Sequence, residues 1–373
     1  QNGSKLKLPP YYPDTPIVRE DWKRNYELIT AMDAWAGGLI KQLKADGLYE
    51  STIIIFWSDH GVGLPRAKRW LYDSGTRIPL IVRQPGGKSG VSDRLVSSID
   101  FGPTALKLAG LKIPNHMQGR SFIHGQPRDY VYGARDRMDE RYDIIRSVRD
   151  KRFRYIRNYE PLKTYYQYMN TPEKGATMKE IRRVHAAGKM PAASALFMAP
   201  KKPVEELYDL NADPHEVRNL VDDPKQTAKL KELRAAHIQW VRETRDLGLL
   251  PEAEIEIREK RAQSRFHILI GQILGAGQSA PLNEDLSKVA RLASSGLEAL
   301  PELLRAMEHT DAAVRYWGAT GVGNIGERSA GARLRMINAL KDSSPSVRIA
   351  AARALAKLGD VKLALPILEA ELQ

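Results

Sequence analysis

The sequence predicts an α/β unit with a small antiparallel subdomain, followed by an all-helical solenoid. Three observations predict this fold class. A long amphipathic helix precedes an apolar strand, several short strands lie near the middle of the chain, and the last third is rich in Ala and Leu with an internal repeat. We expect three domains, at residues 1–125, 126–250 and 251–373.

The composition is that of a folded protein without cysteine chemistry. The 373 residues are 42% hydrophobic and 28% charged, a mixture that excludes disorder over the whole length. The sequence contains no apolar run of about 18 residues, so it predicts no membrane span. Because the chain has no cysteine, disulfides, zinc–thiolate sites and a cysteine nucleophile are excluded.

Positive charge is concentrated in one region. Lys and Arg number 58 against 45 Asp and Glu, and residues 128–202 hold 18 of the basic residues but only 9 of the acidic ones. Such a region attracts anionic partners such as nucleic acid, acidic polysaccharide, sulfate or phosphate, although a basic surface also serves solubility. Aromatic and basic residues are not regularly interleaved, and no known nucleic-acid-binding motif appears, so we expect no nucleic-acid partner.

The first predicted elements are a helix over residues 21–45 and a strand over residues 52–57. The helix has apolar residues at three- and four-residue spacing, and Gly47 follows it as a stop signal. A helix, a glycine turn and a continuously apolar strand are typical of a parallel sheet that is buried on both faces. A second strand is predicted at residues 78–82 and a helix at residues 98–110.

Short strands in the middle of the chain predict a smaller antiparallel sheet. They cover residues 130–132, 144–148, 153–156 and 206–210, and a helix is expected over residues 226–244.

From about residue 254 the chain is predicted to be helical. Residues 304–326 and 337–359 align with an offset of 33 residues, and each unit has two helices separated by a turn that precedes a Val-Arg pair. This pattern resembles HEAT repeats, which stack into α-solenoids. Solenoids usually bind proteins or pack on a neighbouring domain, so a protein partner and docking within the molecule are both open.

Asp59 and His60 are the strongest candidates for metal ligands. They follow the predicted apolar strand, and α/β sheets bind their ligands at the ends of strands. A carboxylate suits Ca²⁺ or Mg²⁺, and an imidazole also suits Zn²⁺ or Mn²⁺, but two ligands cannot complete such a site. The alternative is that Asp59 caps the following turn and that His60 is a hydrogen-bonded surface residue.

Lys68 is the next candidate, in a loop where Arg66 and Arg69 flank it. An ammonium group held near a metal-bound anion would neutralise charge on a sulfate or phosphate oxygen. The alternative is a solvated basic loop.

The order of these features resembles the formylglycine-dependent sulfatases. Ser58-Asp59-His60-Gly61 is followed by Lys68 and then by the segment from Tyr72 to Val82, which contains Tyr-Asp-x-Gly-x-Arg-x-Pro-Leu-Ile-Val. Further matches are Met32-Asp33, Glu206-Leu207-Tyr208-Asp209-Leu210 and Asp213-Pro214-His215-Glu216. The resemblance covers roughly residues 8–250 and is closest to the heparan N-sulfatase (sulfamidase) branch.

The resemblance implies an alkaline-phosphatase-like fold, of which this chain carries part of the central sheet and the small antiparallel subdomain. Asp59 and His60 lie at the positions of ligands to one calcium ion, and Lys68 lies at that of a basic residue that contacts sulfate. In the family mechanism a hydrated formylglycine attacks sulfur, the ester or N–S bond breaks, and a base then expels sulfate. The family also implies a bacterial protein that is periplasmic or secreted.

The substrate expected from the resemblance is a sulfated saccharide, such as a glycosaminoglycan, or another sulfated small molecule. We expect Arg135 and Arg137 to bind the anionic groups of this substrate, because guanidinium groups bind sulfates and carboxylates well. The later arginines are expected to be mostly surface residues, with Arg152 and Arg154 on an exposed strand face.

The chain departs from the family pattern at the nucleophile. Formylglycine is made from Cys or Ser in a Cys/Ser-x-Pro/Ala-x-Arg motif, and in the nearest segment, Ser343–Arg348, the arginine comes one residue late. That segment also lies in a repeat turn. We therefore expect no catalytic residue within this chain, a formylglycine upstream of Gln1, and no activity of this chain alone.

Two other functions stay open on the sequence. A phosphonate monoester hydrolase or phosphodiesterase of the same superfamily would use a bare Thr or Ser nucleophile with two metals. A non-catalytic protein would use the solenoid and the basic surface as a binding scaffold.

Overall fold

The computed structural model describes residues 3–262, 264–265 and 284–372, and the chain divides into two compact units. The first unit comprises Gln1–Arg157 and Lys163–Leu233, and the second comprises Asn158–Leu162 and Arg234–Gln373. The division into three domains that is expected from the sequence stays a prediction.

The first unit opens with helix α1, Pro16–Ala45, which begins five residues before the predicted start. The Thr15 side chain accepts a hydrogen bond from the Val18 N–H (3.4 Å). Pro16 occupies the first helical position, where a missing N–H costs nothing. The helix buries Val18 and Trp22, whereas several of its later apolar residues are exposed, namely Tyr26, Ile29, Met32 and Leu39.

Strands β1 (Ile54–Trp57) and β2 (Leu80–Arg83) form a two-stranded antiparallel sheet in which Ile55 lies opposite Val82. The predicted parallel sheet, buried on both faces, is therefore wrong for this pair. A parallel pair needs a crossover connection, usually a long helix, whereas the chain returns here through a loop that contains only the four-residue helix α2, Asp73–Thr76. Helix α3, Phe101–Leu108, follows.

The predicted smaller antiparallel sheet is confirmed. Its strands are β3 (Val131–Met138), β4 (Arg141–Arg149), β5 (Phe153–Asn158) and β6 (Glu205–Asp209), in that order across the sheet. The β3–β4 and β5–β6 registers are antiparallel. The first three strands are longer than predicted, because polar and charged residues continue their ladders.

Three helices lie between β5 and β6 along the chain, and an aromatic core joins them to the strands. These helices are α4 (Asn170–Lys174), α5 (Ala176–Ala186) and α6 (Ala192–Ala195). At the centre of the core, the Trp70 ring lies 5.5 Å from that of Phe197 and 6.2 Å from that of Tyr165, measured between centroids. Tyr165 and Tyr166 are buried, so they pack in this core.

The rest of the described chain is helical. Its helices are α7 (Thr227–Thr244), α8 (Glu252–Ala262), α9 (Glu284–Leu292), α10 (Leu300–Ala306), α11 (Ala312–Ile325), α12 (Arg333–Ala339), α13 (Pro345–Lys357) and α14 (Val361–Ala370). Helices α11 and α13 are the second helices of the two predicted repeats. The Arg315 guanidinium joins the repeats through two hydrogen bonds to the Asp342 carboxylate, both 2.8 Å. Within the described residues, we find no helix long and apolar enough to cross a bilayer.

Candidate functional site

Asp59, His60 and Lys68 all lie on one loop, residues 58–76, which we call the site loop. Its backbone folds back on itself. The Gly61 N–H donates to the Gly75 carbonyl (2.9 Å), the Val62 N–H donates to the Ser74 carbonyl (3.3 Å), and the Lys68 N–H donates to the Val62 carbonyl (2.9 Å). The structure therefore places the predicted metal ligands and the predicted sulfate-contacting lysine on a single compact segment.

Two glycines allow this close backbone approach. A Cβ at Gly61 would lie 2.0 Å from the Ser74 carbonyl oxygen, and a Cβ at Gly75 would lie 2.1 Å from the Ala67 carbonyl oxygen. Both obstacles are backbone atoms, which cannot rotate away. The close packing of the site loop backbone therefore requires glycine at positions 61 and 75.

Gly75→Ala is therefore expected to reduce the free energy of unfolding by about 2–3 kcal/mol, because the added methyl group must displace backbone. Urea unfolding followed by tryptophan fluorescence measures this change. Gly63→Ala is the matched control, since no described atom lies within 4 Å of its added Cβ. Equal stabilities of the two variants would contradict the packing account.

Asp59 and His60 form a partly exposed pair at the start of the site loop. The Asp59 side chain is 84% exposed, the His60 side chain is 31% exposed, and Asp59 Oδ2 lies 3.5 Å from His60 Nε2. His60 Nδ1 lies 2.7 Å from the Gly61 carbonyl oxygen. Because a carbonyl only accepts hydrogen bonds, this contact requires a proton on Nδ1, which in the neutral ring leaves a lone pair on Nε2.

These two donors have the chemistry of metal ligands. A carboxylate oxygen and an imidazole nitrogen whose other nitrogen donates to a backbone carbonyl are a common arrangement around divalent cations. Among the described residues there is no group of three or more His, Asp or Glu side chains that could hold a metal ion. The pair therefore fits part of a metal site that needs further ligands.

Lys68 lines a groove between the site loop and helices α4 and α5. The groove is lined on the loop side by Gly63, Leu64, Pro65, Lys68, Arg69 and Trp70, and on the other side mainly by Tyr166, Met169, Thr171, Thr177 and Met178. In the part of the chain that the structure describes, the Lys68 ammonium group makes no hydrogen bond or ion pair, whereas Arg69 pairs with Asp139 (2.5 Å). Lys68 is thus a half-buried cation at a groove wall.

Arg135 is buried behind this groove. Its residue exposure is 2%, and its guanidinium carbon lies 4.4 Å from the centroid of the Trp70 ring. One nitrogen lies 4.0 Å from the Asp143 carboxylate, which itself pairs with the Lys202 ammonium at 2.7 Å. Burial lowers the pKa of Arg135, although Asp143 opposes this effect. None of its three nitrogens has a hydrogen-bond partner among the described atoms.

Arg137 has a different environment from Arg135, although both lie on β3. It is exposed, with its guanidinium carbon 5.9 Å from the Tyr142 ring centroid. The register of β3 against β4 shifts between Arg135 and Arg137, as in a β-bulge. Bulges re-aim side chains, so the structure buries one of the two arginines and leaves the other on the surface.

The structure contradicts the prediction that the later arginines are mostly surface residues. Both Arg152 and Arg154 were predicted to be exposed. The Arg152 side chain is 56% exposed, but that of Arg154 is only 3% exposed. Buried arginines of β4 and β5 also include Arg146 and Arg157. Alternating charged and apolar residues in a strand do not show whether the charged side chains face solvent or a buried carboxylate. Here the carboxylates belong to segments far from the arginines in the sequence.

Arg154 belongs to a buried ion-pair network that the sequence did not reveal. The Arg154 guanidinium pairs with the Asp73 carboxylate, to which Arg149 also donates at 2.9 and 3.2 Å. Arg154 Nε lies 2.8 Å from Glu216 Oε1, without the alignment of a hydrogen bond. One signal in the sequence could have indicated this network. Asp73 and Glu216 both lie inside family motifs, at Tyr72-Asp73 and at Asp213-Pro214-His215-Glu216.

The two carboxyl groups of this network differ in their protonation. Burial alone would raise the pKa of Asp73, but Arg154 and Arg149 outweigh it and hold this pKa below its ordinary value. For Glu216, burial is the larger effect and raises the pKa to about 7, although Arg154 opposes it. Asp73 is therefore ionised at neutral pH, and Glu216 titrates near neutrality.

Arg66 ties the site loop to two further segments. Its guanidinium lies between the rings of Tyr11 and Tyr72, with its carbon 4.4 and 4.1 Å from their centroids. It donates hydrogen bonds to the carbonyls of His215 (3.2 Å) and Glu216 (2.5 Å). The Pro-Tyr-Tyr-Pro loop at the start of the chain thus packs on the site loop.

Comparison with known proteins gives family matches over most of the chain. Residues 9–111 match the family model described as Sulfatase, residues 64–186 match that of N-sulphoglucosamine sulphohydrolase, C-terminal, and residues 300–373 match that of HEAT repeats. These matches confirm the predicted fold class, an α/β sulfatase part with a small antiparallel subdomain followed by a helical repeat region.

Relatives of known activity include two kinds of sulfatase. An ulvan-active sulfatase of Formosa agariphila is 42% identical over 257 residues, which are 68% of this chain and 43% of the relative. N-sulphoglucosamine sulphohydrolase of Homo sapiens is 28% identical over 272 residues, 64% of this chain and 51% of the relative. The chain thus spans about half or less of the length of these relatives.

Among solved structures, one was determined in complex with its substrate D-glucosamine-2-N,6-O-disulfate. It has 22% identity and a TM-score of 0.40, and the match covers 57% of this chain and 39% of that one. By these family matches, residues 9–186 are similar to sulfatases and residues 300–373 are similar to HEAT repeats.

Proposed function

We propose that the protein hydrolyses sulfate esters or sulfamates of an anionic saccharide. The observation that carries this proposal is the site loop of this sulfatase-like chain, which presents a carboxylate and an imidazole side by side and a lysine at a groove wall. Asp59 supplies anionic oxygens, and Lys68 supplies a positive charge without a fixed partner in the described structure. Asp59 and His60 have the chemistry to hold a cation and Lys68 the charge to bind an anion, although the groove that Lys68 lines does not include Asp59 or His60.

Asp59 and His60 are proposed to hold one calcium ion together with ligands from elsewhere in the protein. Bound calcium would supply positive charge that stabilises the transferring sulfuryl group. The Nδ1 hydrogen bond of His60 to the Gly61 carbonyl orients Nε2 toward the Asp59 carboxylate. Lys68 is proposed to contact a sulfate oxygen. Its position in the same loop as Asp59 and His60, a few residues further along the sequence, supports this role.

The nucleophile is proposed to be a formylglycine outside this sequence. The chain has no cysteine, and no Ser-x-Pro/Ala-x-Arg segment occurs in it. It also covers only 43% and 51% of the two relatives described above. On this proposal, the residues of this chain bind the metal and the substrate, and this chain alone does not turn over substrate.

The substrate class is proposed to be a sulfated polysaccharide of the ulvan or glycosaminoglycan type, encountered in the periplasm or outside the cell. The names of the two relatives support this class. Arg135 and Arg137 are proposed to serve substrate binding. Arg137 is exposed, whereas Arg135 is buried behind Trp70 of the groove wall, so direct contact of Arg135 with a substrate requires Trp70 to move.

The test is sulfate release by the intact protein from N-sulfated glucosamine saccharides and from ulvan oligosaccharides, measured by ion chromatography. Lys68→Ala is expected to raise KM about tenfold or more, because a cation beside the sulfate is lost. Lys189→Ala, which removes an exposed lysine of the same unit, is the control. Absence of sulfate release, or equal KM values in the two variants, would refute the respective assignment.

A further inference from the structure

The site loop is held from behind by a strand and a turn that lie far from it in the sequence. Arg154, on β5, donates to the carbonyl of Leu71, pairs with Asp73, and lies 3.2 Å from the Thr76 hydroxyl. One arginine thus contacts three residues of the second half of the loop. Its side chain is almost wholly buried, so these contacts exclude water.

Glu216 contacts the same half of the loop from the turn at residues 213–216. Its Oε2 accepts a hydrogen bond from the Asp73 N–H at 2.6 Å. Asp213 holds the turn by accepting from the N–H groups of Val217 and Arg218, both at 2.8 Å. Glu216 itself has φ +53°, a left-handed conformation that a residue with a side chain adopts only when its surroundings enforce it.

A displacement of Asp73 would also shift the first half of the site loop. The two residues after Asp73 are Ser74 and Gly75, whose carbonyls accept the N–H groups of Val62 and Gly61. A Cβ added at Gly61 or Gly75 would lie 2.0 or 2.1 Å from a backbone carbonyl oxygen, so these backbone segments are closely packed. Because packed backbone transmits small shifts, the position of Asp73 determines that of Gly61 and so of the adjoining His60.

We propose that Arg154 and Glu216 are positioning residues that hold the site loop in the conformation presenting Asp59, His60 and Lys68, and that the charge on Glu216 adjusts this hold. The roles of the three presented residues rest on the proposed function. The holding contacts themselves do not, since they are contacts of this chain alone.

The sign of the pH effect follows from the surroundings of Glu216. The charged groups that face it are Asp73 on α2, Arg154 on β5 and Arg66 in the site loop, and burial raises its pKa to about 7. An opened loop returns Glu216 to water, where its pKa is 4.5. Because the closed loop binds this proton more tightly, opening becomes easier as the pH rises from about 4.5 to about 7 and then levels off.

Two other groups of this cluster titrate in the opposite sense. Burial lowers the pKa of His215, and the arginines hold that of Asp73 low despite its burial, so both favour opening as the pH falls. Glu216→Gln retains both groups. The difference between wild type and this variant therefore isolates the contribution of Glu216.

Hydrogen exchange of the site loop, measured by mass spectrometry at about pH 5 and pH 8 and corrected for intrinsic rates, tests the proposal. The opening constant of residues 58–76 in wild type, divided by that in Glu216→Gln, is expected to rise more than about tenfold between the two pH values. Exchange in α5 is expected to show no such rise. Glu232→Gln, which changes an exposed carboxylate away from the loop, is the control.

Arg154→Lys is the second variant, because it keeps the charge but loses the planar fork. It is expected to speed loop exchange at both pH values, whereas Arg152→Lys is expected to leave it unchanged. The proposal is overturned if wild type and Glu216→Gln share one pH dependence in the loop, or if the two lysine variants behave alike.

Added calcium chloride separates this proposal from the proposed function. Slower exchange of residues 58–64 on calcium addition supports both. If the Glu216 and Arg154 effects occur without any calcium effect, the positioning role stands and the calcium assignment of Asp59 and His60 fails.

Discussion

Asp59→Ala is expected to abolish calcium-dependent sulfate release by the intact protein, with kcat falling about a thousandfold or more. A metal ion contributes several kcal/mol of charge stabilisation to such a transition state, and Asp59 is the only anionic member of the proposed ligand pair. Its side chain is 84% exposed, so its loss removes little packing. The free energy of unfolding should therefore change by less than about 0.5 kcal/mol.

The measurement is sulfate release at increasing calcium concentration, paired with urea unfolding of the same preparations. Asp222→Ala removes another exposed carboxylate of the first unit and serves as the matched control. An Asp59→Ala variant that retains wild-type calcium dependence would exclude this residue from the metal site. A variant that loses activity together with its fold would show a structural role instead.

Arg154→Met is expected to have the largest effect on stability, a loss of about 3–5 kcal/mol in the free energy of unfolding. Removing one partner of a buried ion pair leaves uncompensated charge, and here Asp73 and Glu216 both lose a cation. Arg152→Met, two residues away, should cost less, about 1–2 kcal/mol, because the Arg152 side chain is 56% exposed although that of its partner Asp209 is only 8% exposed.

This stability loss should depend on pH with a defined sign. Without Arg154 the pKa values of both carboxyl groups rise, so the folded variant binds protons more tightly than folded wild type does. Its stability relative to wild type then falls as the pH rises, and the deficit is larger at about pH 8 than at about pH 5. Urea unfolding at the two pH values measures this difference. Equal costs for the two methionine variants would show that the network is not a stabilising feature.

Local patterns in the sequence predicted many of the element types, but not the helices α4, α5 and α6. The three- and four-residue spacing of apolar residues predicted α1, and runs of β-branched and aromatic residues predicted the four strands of the second sheet. The 33-residue offset predicted the two repeats, whose helices α11 and α13 carry equivalent Val-Arg pairs. These patterns report periods of 3.6 and 2 residues within short segments, and such periods do not depend on distant contacts.

The candidate site was predictable only in part. The motif around Asp59, His60 and Lys68 identified the loop, because its residue types and their order are chemically specific. The sequence could not show that Gly61 and Gly75 allow the loop to close, since the site of an added Cβ at each glycine is occupied by a backbone carbonyl several residues away in the loop.

Contacts between residues remote in sequence could be seen only in the folded protein. The antiparallel pairing of β1 with β2, the β-bulge that separates Arg135 from Arg137, and the burial of Arg154 all fall in this class. Arg154 contacts Asp73 and Glu216, which lie 81 and 62 positions away from it in the sequence. A side chain's own neighbours in the sequence carry no information about a partner at that distance, so whether a charge faces water or a buried counter-charge is settled only by the packed fold.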